Sequence, residues 1–442
     1  MTARLLPQEA LFVDDTAGRT TPIGRVVLAS FIGTSIEWYD FFLYGTASAL
    51  AFGQLFFPTL DPLAGTMASF GTYAVGFFAR PLGGIVFGHY GDRVGRKSVL
   101  VTTLLLMGLS TFLIGALPTY DQIGVLAPAA LVALRFVQGF GVGGEWGGAV
   151  LLAVEHGHRG RRGFYGSSAQ AGVPAGLLLA NAAFAAVAAL PEEQFLSWGW
   201  RVPFLAGVVL LGLGLFIRLH ILETPLFAQA QAQRATSSRP LLDLVRHYRK
   251  NLLLAMGARF AENASFYVFT VFIYVYASEP RGFSRDTILV GVLLASALQL
   301  FSIPAFAALS DRVGRRPVYL AGALFLGLFA FPFFWLVDSG VPALIWLSLV
   351  LGLTGVSAMY GPQAAFFSEL FGTKVRYSGA SLGSQLAAPF AGGLAPLIAT
   401  ALLGWSGGQS WPVALYVIGM VLITFCSVFL AVETVHVDLS SR

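Results

Sequence analysis

Glu37, Asp40 and Tyr44 recur three and four residues apart inside a stretch, 25–56, that is otherwise almost wholly apolar. At about 100° per residue the three fall within a ~60° arc, one face of a helix. Two carboxyl groups one turn apart repel when both are ionised, and a group poised this way can bind and release a proton. Asp40 is the first candidate for that work and Glu37 the second. A permanent bridge to an arginine on a neighbouring helix is the plainer alternative. Arg80 stands 12 residues before Asp92, again within an apolar run, roughly 18 Å along a helix. Its guanidinium fork suits a substrate carboxylate, or else a fixed ion pair with the first helix. Arg135, Gln138 and Glu145 share a ~80° arc of another helix. Glu145, set between two glycine pairs, is open to a packing role as well as a functional one. Arg259, Glu262 and Asn263 follow i, i+3, i+4 spacing, which allows either a self-neutralising pair or a cavity-facing group. Tyr44, Gln138, Gln170 and Tyr360 are further candidates for orienting a solute, and Gln299, Gln363 and Gln385 resemble them in kind. Each of these can equally bond between helices. Three arginines (Arg80, Arg135, Arg259) among four acids (Glu37, Asp40, Glu145, Glu262) favour an anionic or zwitterionic solute over a cation.

These residues need a membrane around them to be informative. Of 442 residues, 56% are hydrophobic and only 11% charged, with a mean hydropathy of +0.74. A soluble chain carries about 25% charge, so a soluble monomer and a disordered chain are excluded. The single cysteine, Cys426, allows neither an internal disulfide scaffold nor a cysteine zinc cluster. Residues 1–22 are polar and lack an apolar signal core, so no cleavable leader is expected. A membrane-crossing helix needs about 20 apolar residues. Twelve stretches qualify: 25–56, 64–90, 98–118, 126–155, 163–189, 201–222, 251–277, 287–309, 318–338, 343–370, 378–402 and 412–432. With the N-terminus inside, 21 of the 27 basic residues fall in cytoplasmic segments, the bias expected of an inner-membrane protein. The expected layout is all-α and multi-pass. A tail (1–24) precedes a first six-helix bundle (25–222). A central loop (223–250) leads to a second bundle (251–432) and a short tail (433–442), with both termini cytoplasmic.

The two halves repeat. Gly88-His-Tyr-Gly-Asp-Arg-Val-Gly-Arg-Lys97 is echoed by Ala307-Ala-Leu-Ser-Asp-Arg-Val-Gly-Arg-Arg316, with Asp92 and Asp311 219 residues apart. Glu155 followed by Tyr165-Gly-Ser-Ser is echoed by Glu369 followed by Tyr377-Ser-Gly-Ala-Ser. Two parallel six-helix halves form a transporter architecture. The duplicated G-x-x-x-D-R-x-G-R-K/R loop resembles the signature of the major facilitator superfamily, with Ala307 in place of the second glycine. Ser35-Ile-Glu-Trp-Tyr-Asp-Phe-Phe-Leu-Tyr-Gly45, Phe78-Ala-Arg-Pro-Leu-Gly-Gly84, Gly143-Gly-Glu-Trp-Gly-Gly148, Trp198-Gly-Trp-Arg-Val-Pro-Phe204 and Glu223-Thr-Pro narrow the resemblance. They are similar to the metabolite:proton symporter family, especially its shikimate-transporter-like branch.

The resemblance implies two pseudo-symmetric bundles and alternating access. It implies a role in proton coupling for Arg135, whose Arg135-Phe-Val-Gln-Gly-Phe-Gly segment resembles a helix-4 motif. It also implies a cytoplasmic latch built from Asp92, Arg93, Arg96 and Glu155 against Asp311, Arg315, Glu369 and Arg376. The expected function is proton-coupled uptake of a small organic acid such as shikimate. A zwitterionic osmolyte carrier and a drug/proton antiporter are the alternatives within transport; a polytopic membrane enzyme is the alternative outside it. The partners expected are the solute, protons and the lipid bilayer, with the chain a monomer. No nucleic acid, cofactor or metal is expected. Gly139-Phe-Gly-Val-Gly-Gly144 spells a dinucleotide fingerprint but lies within a membrane helix with no strand before it. Asn263-Ala-Ser265 is a sequon inside helix 7, and His89, His156, His158, His220 and His247 lack metal-ligand spacing.

Overall fold

A computed structural model describes residues 23–94, 96–219, 240–278, 282–372 and 375–437. Glu223-Thr-Pro and most of the central loop therefore lie outside the described residues. Among those described there is no strand. The first half holds α1 (Ile23–Phe56), α2 (Pro62–Val94), α3 (Arg96–Ala116), α4 (Leu126–Gly143 continued by Trp146–His156), α5 (Arg162–Ala188) and α6 (Arg201–Leu219, led in by Glu192–Gly199). A short helix, Pro240–His247, precedes the second half. There follow α7 (Arg249–Tyr267 continued to Ser278), α8 (Arg285–Val313), α9 (Arg315–Asp338), α10 (Pro342–Glu369), α11 (Arg376–Trp405) and α12 (Trp411–Leu430).

Ten of these helices are long and apolar enough to cross a bilayer on their own, and α6 with its bent lead-in makes an eleventh. The twelfth, α7, has the length but not the average composition. Arg249, Lys250, Asn251, Arg259, Glu262 and Asn263 all fall on it, and the last three are buried inside the protein. A helix shielded by its neighbours can carry groups that lipid would not tolerate. The helix begins at Arg249, just inside the stretch expected to be loop.

The halves meet through α5 against α8 and α2 against α11. Their relation shows in local irregularities as well. Both α1 and α7 open into a wide π turn, at Ser48–Phe52 and Val268–Phe272, and these turns are 220 residues apart, within one residue of the offset between Asp92 and Asp311. The glycines of α4 explain the false dinucleotide fingerprint. A Cβ on Gly139 would stand 2.0 Å from the Gly76 carbonyl oxygen, and one on Gly143 2.0 Å from that of Arg80. Only hydrogen lets α2 and α4 come backbone to backbone, the small-residue packing that membrane helices use. That contact carries Arg80 and Arg135 on adjoining helices into one site. On the outer wall Phe301, Leu328, Trp335 and Trp405 are exposed, as a lipid-facing surface requires.

Candidate functional site

Arg80 and Arg135 are 2% and 0% exposed, and neither has a carboxylate partner among the described residues. Aromatic faces surround them instead. The Arg80 guanidinium carbon lies 4.1 Å from the centre of the Phe41 ring and 4.2 Å from that of Phe77, with Trp38 at 5.4 Å. Arg135 lies 4.2 Å from Phe41, 4.3 Å from Tyr44 and 4.6 Å from Tyr73. Phe41 thus touches both cations. Desolvated cation–π contacts of this kind contribute about 2 kcal/mol each, which offsets part of the penalty for buried charge. They leave hydrogen-bonding capacity unused: Nε and Nη2 of both arginines, and Nδ2 of Asn263, are buried without a partner. Tyr267 reaches across from the second half, 5.2 Å from Phe77 and 6.2 Å from Tyr73 between ring centres. Its hydroxyl lies beside Arg80 without completing a hydrogen bond.

The third membrane arginine is differently placed. Arg259 Nη1 lies 3.4 Å from Glu262 Oε2 and donates to Gln363. The Gln363 amide in turn donates to Glu262 at 3.3 Å and to the Tyr319 hydroxyl at 2.8 Å. Here the local pair foreseen from the i, i+3 spacing forms. Its guanidinium faces Tyr360 at 5.7 Å and, from the other half, Trp146 at 5.6 Å. Gln170 ties the halves together, donating to the Tyr360 carbonyl at 3.1 Å and accepting from Trp146 Nε1 at 3.0 Å. In this conformation it bonds between helices.

The face shared by Glu37, Asp40 and Tyr44 divides on packing. Tyr44 turns to α2, donating to Thr72 at 2.7 Å, and lies beneath Arg135. Asp40, 2% exposed, turns into the first bundle. Its Oδ1 is buried without a hydrogen-bond partner, and a Cβ on Gly207 of α6 would come within 3.3 Å of that atom. Glu37 is buried too, and Glu145 is buried at the break in α4. Gln138 holds Arg135 through its carbonyl oxygen and spends its amide hydrogens on Thr111 and the Asp40 carbonyl.

The basic ends of the helices are sealed. Asp311 accepts from the backbone N–H groups of Gly163 and Phe164, at 2.8 and 2.9 Å, so a carboxylate from the second half caps α5 of the first. Gly163 is required: a Cβ there would meet Arg315 Nη1 at 2.5 Å and the Ala307 carbonyl oxygen at 2.7 Å. Arg315 pairs with Asp311 at 2.7 Å and with Glu369 at 3.1 Å, all within the second half. Arg376 reaches Glu155 across the halves at 3.8 Å, and Tyr377 donates to the Gly144 carbonyl at 2.5 Å. The side chains of Asp92, Arg93 and Arg96 lie outside the described residues. At the other end, a cavity of about 450 Å³ lies between the halves, lined by Thr46, Gln54, Phe184, Glu192, Tyr274 and Asp286 among others.

Sequence reasoning missed Trp38, Phe41, Tyr73, Phe77, Tyr267 and Thr111. In an apolar helix an aromatic ring facing a guanidinium reads like one facing lipid. The i, i+4 recurrence of Tyr73 and Phe77 three residues ahead of Arg80 was the one available signal.

The class follows from the fold, the inter-half site and the sealed end: a membrane transporter rather than an enzyme. The profile of the Major Facilitator Superfamily matches residues 30–384 and 294–440, and the chain belongs to that superfamily. It is 41% identical over 404 residues to the shikimate transporter of Escherichia coli K12, covering 90% of this chain and 92% of that protein. It is 40% identical over 428 residues to the inner membrane metabolite transport protein YhjE of the same organism, covering 95% and 97%. The proline/betaine transporter of Escherichia coli K12 is 35% identical over 401 residues, covering 88% and 79%. Among solved structures, the proton:xylose symporter XylE bound to 6-bromo-6-deoxy-D-glucose superimposes with a TM-score of 0.75 at 18% identity, over 94% of this chain and 97% of that one. Within the superfamily the chain falls in the metabolite:proton symporter family, in its shikimate-transporter-like branch.

Proposed function

We propose that this transporter takes up a small organic acid such as shikimate together with protons, by alternating access. The observation that carries this reading is the pair of buried arginines, Arg80 and Arg135, whose guanidinium N–H groups lack a carboxylate. A carboxylate entering between them gains charge-assisted hydrogen bonds in a dry site, while the surrounding rings accept the apolar face of the solute. Asn263 and Tyr267 supply polar atoms from the second half. Arg259 is already neutralised by Glu262 and contributes shape rather than net charge.

Asp40 is the proposed proton carrier. Carrying one proton with a monoanion moves no net charge, so one pH unit supports about tenfold accumulation. Closure at the basic end through Asp311, Arg315, Glu369, Arg376 and Glu155 defines the state that opens to the opposite side. The basic loops support a cytoplasmic location for that closed end and for both termini. The names of the relatives support a bacterial inner membrane.

The kinship with a proline/betaine transporter raises a zwitterion as the second reading. A quaternary ammonium seeks an uncovered aromatic face. Here Phe41, Phe77, Tyr44 and Tyr73 already face guanidinium groups, which repel a further cation. Reconstituted into proteoliposomes, the protein is expected to accumulate shikimate or a related acid under an inward proton gradient, with betaine failing to compete. Asp40→Asn should lose accumulation and keep counterflow exchange. Accumulation indifferent to the gradient, or normal uphill uptake by Asp40→Asn, would refute the coupling.

A further inference from the structure

The segment Gly143-Gly-Glu-Trp-Gly-Gly148 holds the break in α4, between Gly143 and Trp146, and the charged latch leaves its glycines unexplained. Helix α11 of the second half lies on that break. The Tyr377 hydroxyl donates to the Gly144 carbonyl at 2.5 Å. One turn further along α11, Ser381 fills the place of a missing side chain. A Cβ on Gly147 would stand 1.9 Å from Ser381 Oγ and 3.2 Å from Ser381 Cβ. The Tyr377 ring covers Gly148, whose Cβ would come 3.6 Å from its Cε2. Tyr377 and Ser381 are both buried, and Ser381 Oγ has no hydrogen-bond partner among the described residues. That hydroxyl occupies the hollow by fit, and the directional bond falls to Tyr377.

This contact lies between the paired arginines and the basic end. Tyr377, Ser381 and Gln385 recur every four residues, one face of α11. Above Ser381, a Cβ on Gly84 of α2 would come 3.9 Å from Gln385 Cγ. Higher still, a Cβ on Gly392 or Gly393 would meet the Phe77 side chain at 2.9 or 2.7 Å, and Phe77 faces Arg80. Tyr377 and Gly392 are 15 residues apart, about 22 Å of helix. Over that length α11 rests on α2 and α4 of the first half, so no solute passes while it is seated.

A break in a helix leaves carbonyls without an intrahelical partner, and a buried one needs a donor from elsewhere. Tyr377 supplies that donor only while the halves are together. A hollow filled by a neighbouring side chain behaves in the same all-or-none way: one methyl too many repels steeply, and separation forfeits the contact. We propose that the break in α4 is the seat of the inner gate. Gly144 and Gly147 receive Tyr377 and Ser381 of α11 when the basic end closes, and the hollow at Gly147 must stay empty for it to close. Gly147 acts as a positioning residue. The inference goes beyond the charged latch and rests on the alternating-access reading above.

Spin labels at His158 and Arg312, in full-length protein carrying Cys426→Ser, read the opening of the basic end. The short, closed distance is expected to dominate in that background. Gly147→Ala should raise the population at the longer distance about tenfold, the effect of one methyl forced into a packed contact. Adding Ser381→Gly removes the atoms in the methyl's way and leaves the Tyr377 carbonyl oxygen at 3.5 Å as its nearest neighbour. The double variant should therefore return to the background distribution, a rescue that a merely weakened fold would not show. Tyr377→Phe leaves the hollow untouched and should raise the open population about fivefold through one lost hydrogen bond. It carries the test should Gly147→Ala fail to fold, and Asp311→Asn serves as the opened control. If either variant keeps the background distribution while Asp311→Asn opens, the seat is refuted and alternating access stands. Opening by Gly147→Ala that Ser381→Gly does not reverse lies within α4 itself and also overturns the seat. One unchanging distance in every variant, Asp311→Asn included, refutes alternating access with it.

Discussion

At the scale of single residues, three membrane arginines share one chemistry and divide into two roles. Arg259 has its own acid one turn along, whereas Arg80 and Arg135 keep unused N–H groups against aromatic faces. The difference predicts that Arg80→Lys, which keeps the charge and loses the fork, weakens carboxylate binding by about 10- to 100-fold. That range corresponds to the loss of one charged hydrogen bond of ~1.5–3 kcal/mol. Isothermal titration of the purified protein checks it; unchanged affinity would mean that the carboxylate docks elsewhere. The sequence sufficed to show that all three arginines lie in apolar runs. Which of them was already neutralised depended on contacts between helices, because Phe41 and Tyr73 become guanidinium partners only once α1, α2 and α4 are packed.

At the scale of elements, helix ends and small-residue contacts govern the site. Glu433, expected in a plain tail, accepts from the N–H groups of Arg315 and Arg316 at 2.9 and 3.0 Å, and so caps α9. Partial burial pushes its carboxyl upward, but the N–H groups of Arg315, Arg316, Val435 and Thr434 outweigh that and hold it below the usual glutamate range. The sign follows directly. A folded-state value below the unfolded one stabilises the protein above the unfolded value, near pH 4.5, and that contribution is lost as pH falls through the folded one. Glu433→Gln should therefore lower stability at neutral pH by about 1 kcal/mol, the size of a lost cap. The gap from wild type should close on acidification, as read by thermal unfolding in detergent. The neighbouring Thr434 donates to Glu369 at 2.7 Å and Arg162 donates to the Val437 carbonyl at 2.7 Å, so the segment after α12 touches both halves. Its few polar residues after a long apolar helix carry no periodicity, which is why the sequence did not disclose this packing.

At the scale of the whole molecule, the halves are closed at the basic end, with a cavity between them at the other. Asp311 is the second half's carboxylate on the first half's helix α5, and its two backbone bonds are charge-assisted. Asp311→Asn should weaken this closure by about 1.5–3 kcal/mol and raise the population open at the basic end about tenfold or more. Spin labels at His158 and Arg312, both exposed and on opposite halves, report this as a longer distance once Cys426→Ser removes the single native cysteine. A distance distribution identical to wild type would exclude Asp311 from the latch.

Membrane insertion, helix count, duplication and the charges set within apolar runs were all legible in the chain. Each follows from local composition or from a repeat, and lipid makes apolar length and misplaced charge unusually informative. The one composition-based shortfall, α7, fails the apolar test because its neighbours, not lipid, solvate its polar face. The direction of Asp40 into the first bundle, the aromatic faces on Arg80 and Arg135, and the capping of α5 by Asp311 belonged to the tertiary structure. They arise where helices far apart in sequence cross, at angles and depths set by contacts such as Gly139 on Gly76, and no periodicity within one helix encodes which neighbour its face will meet.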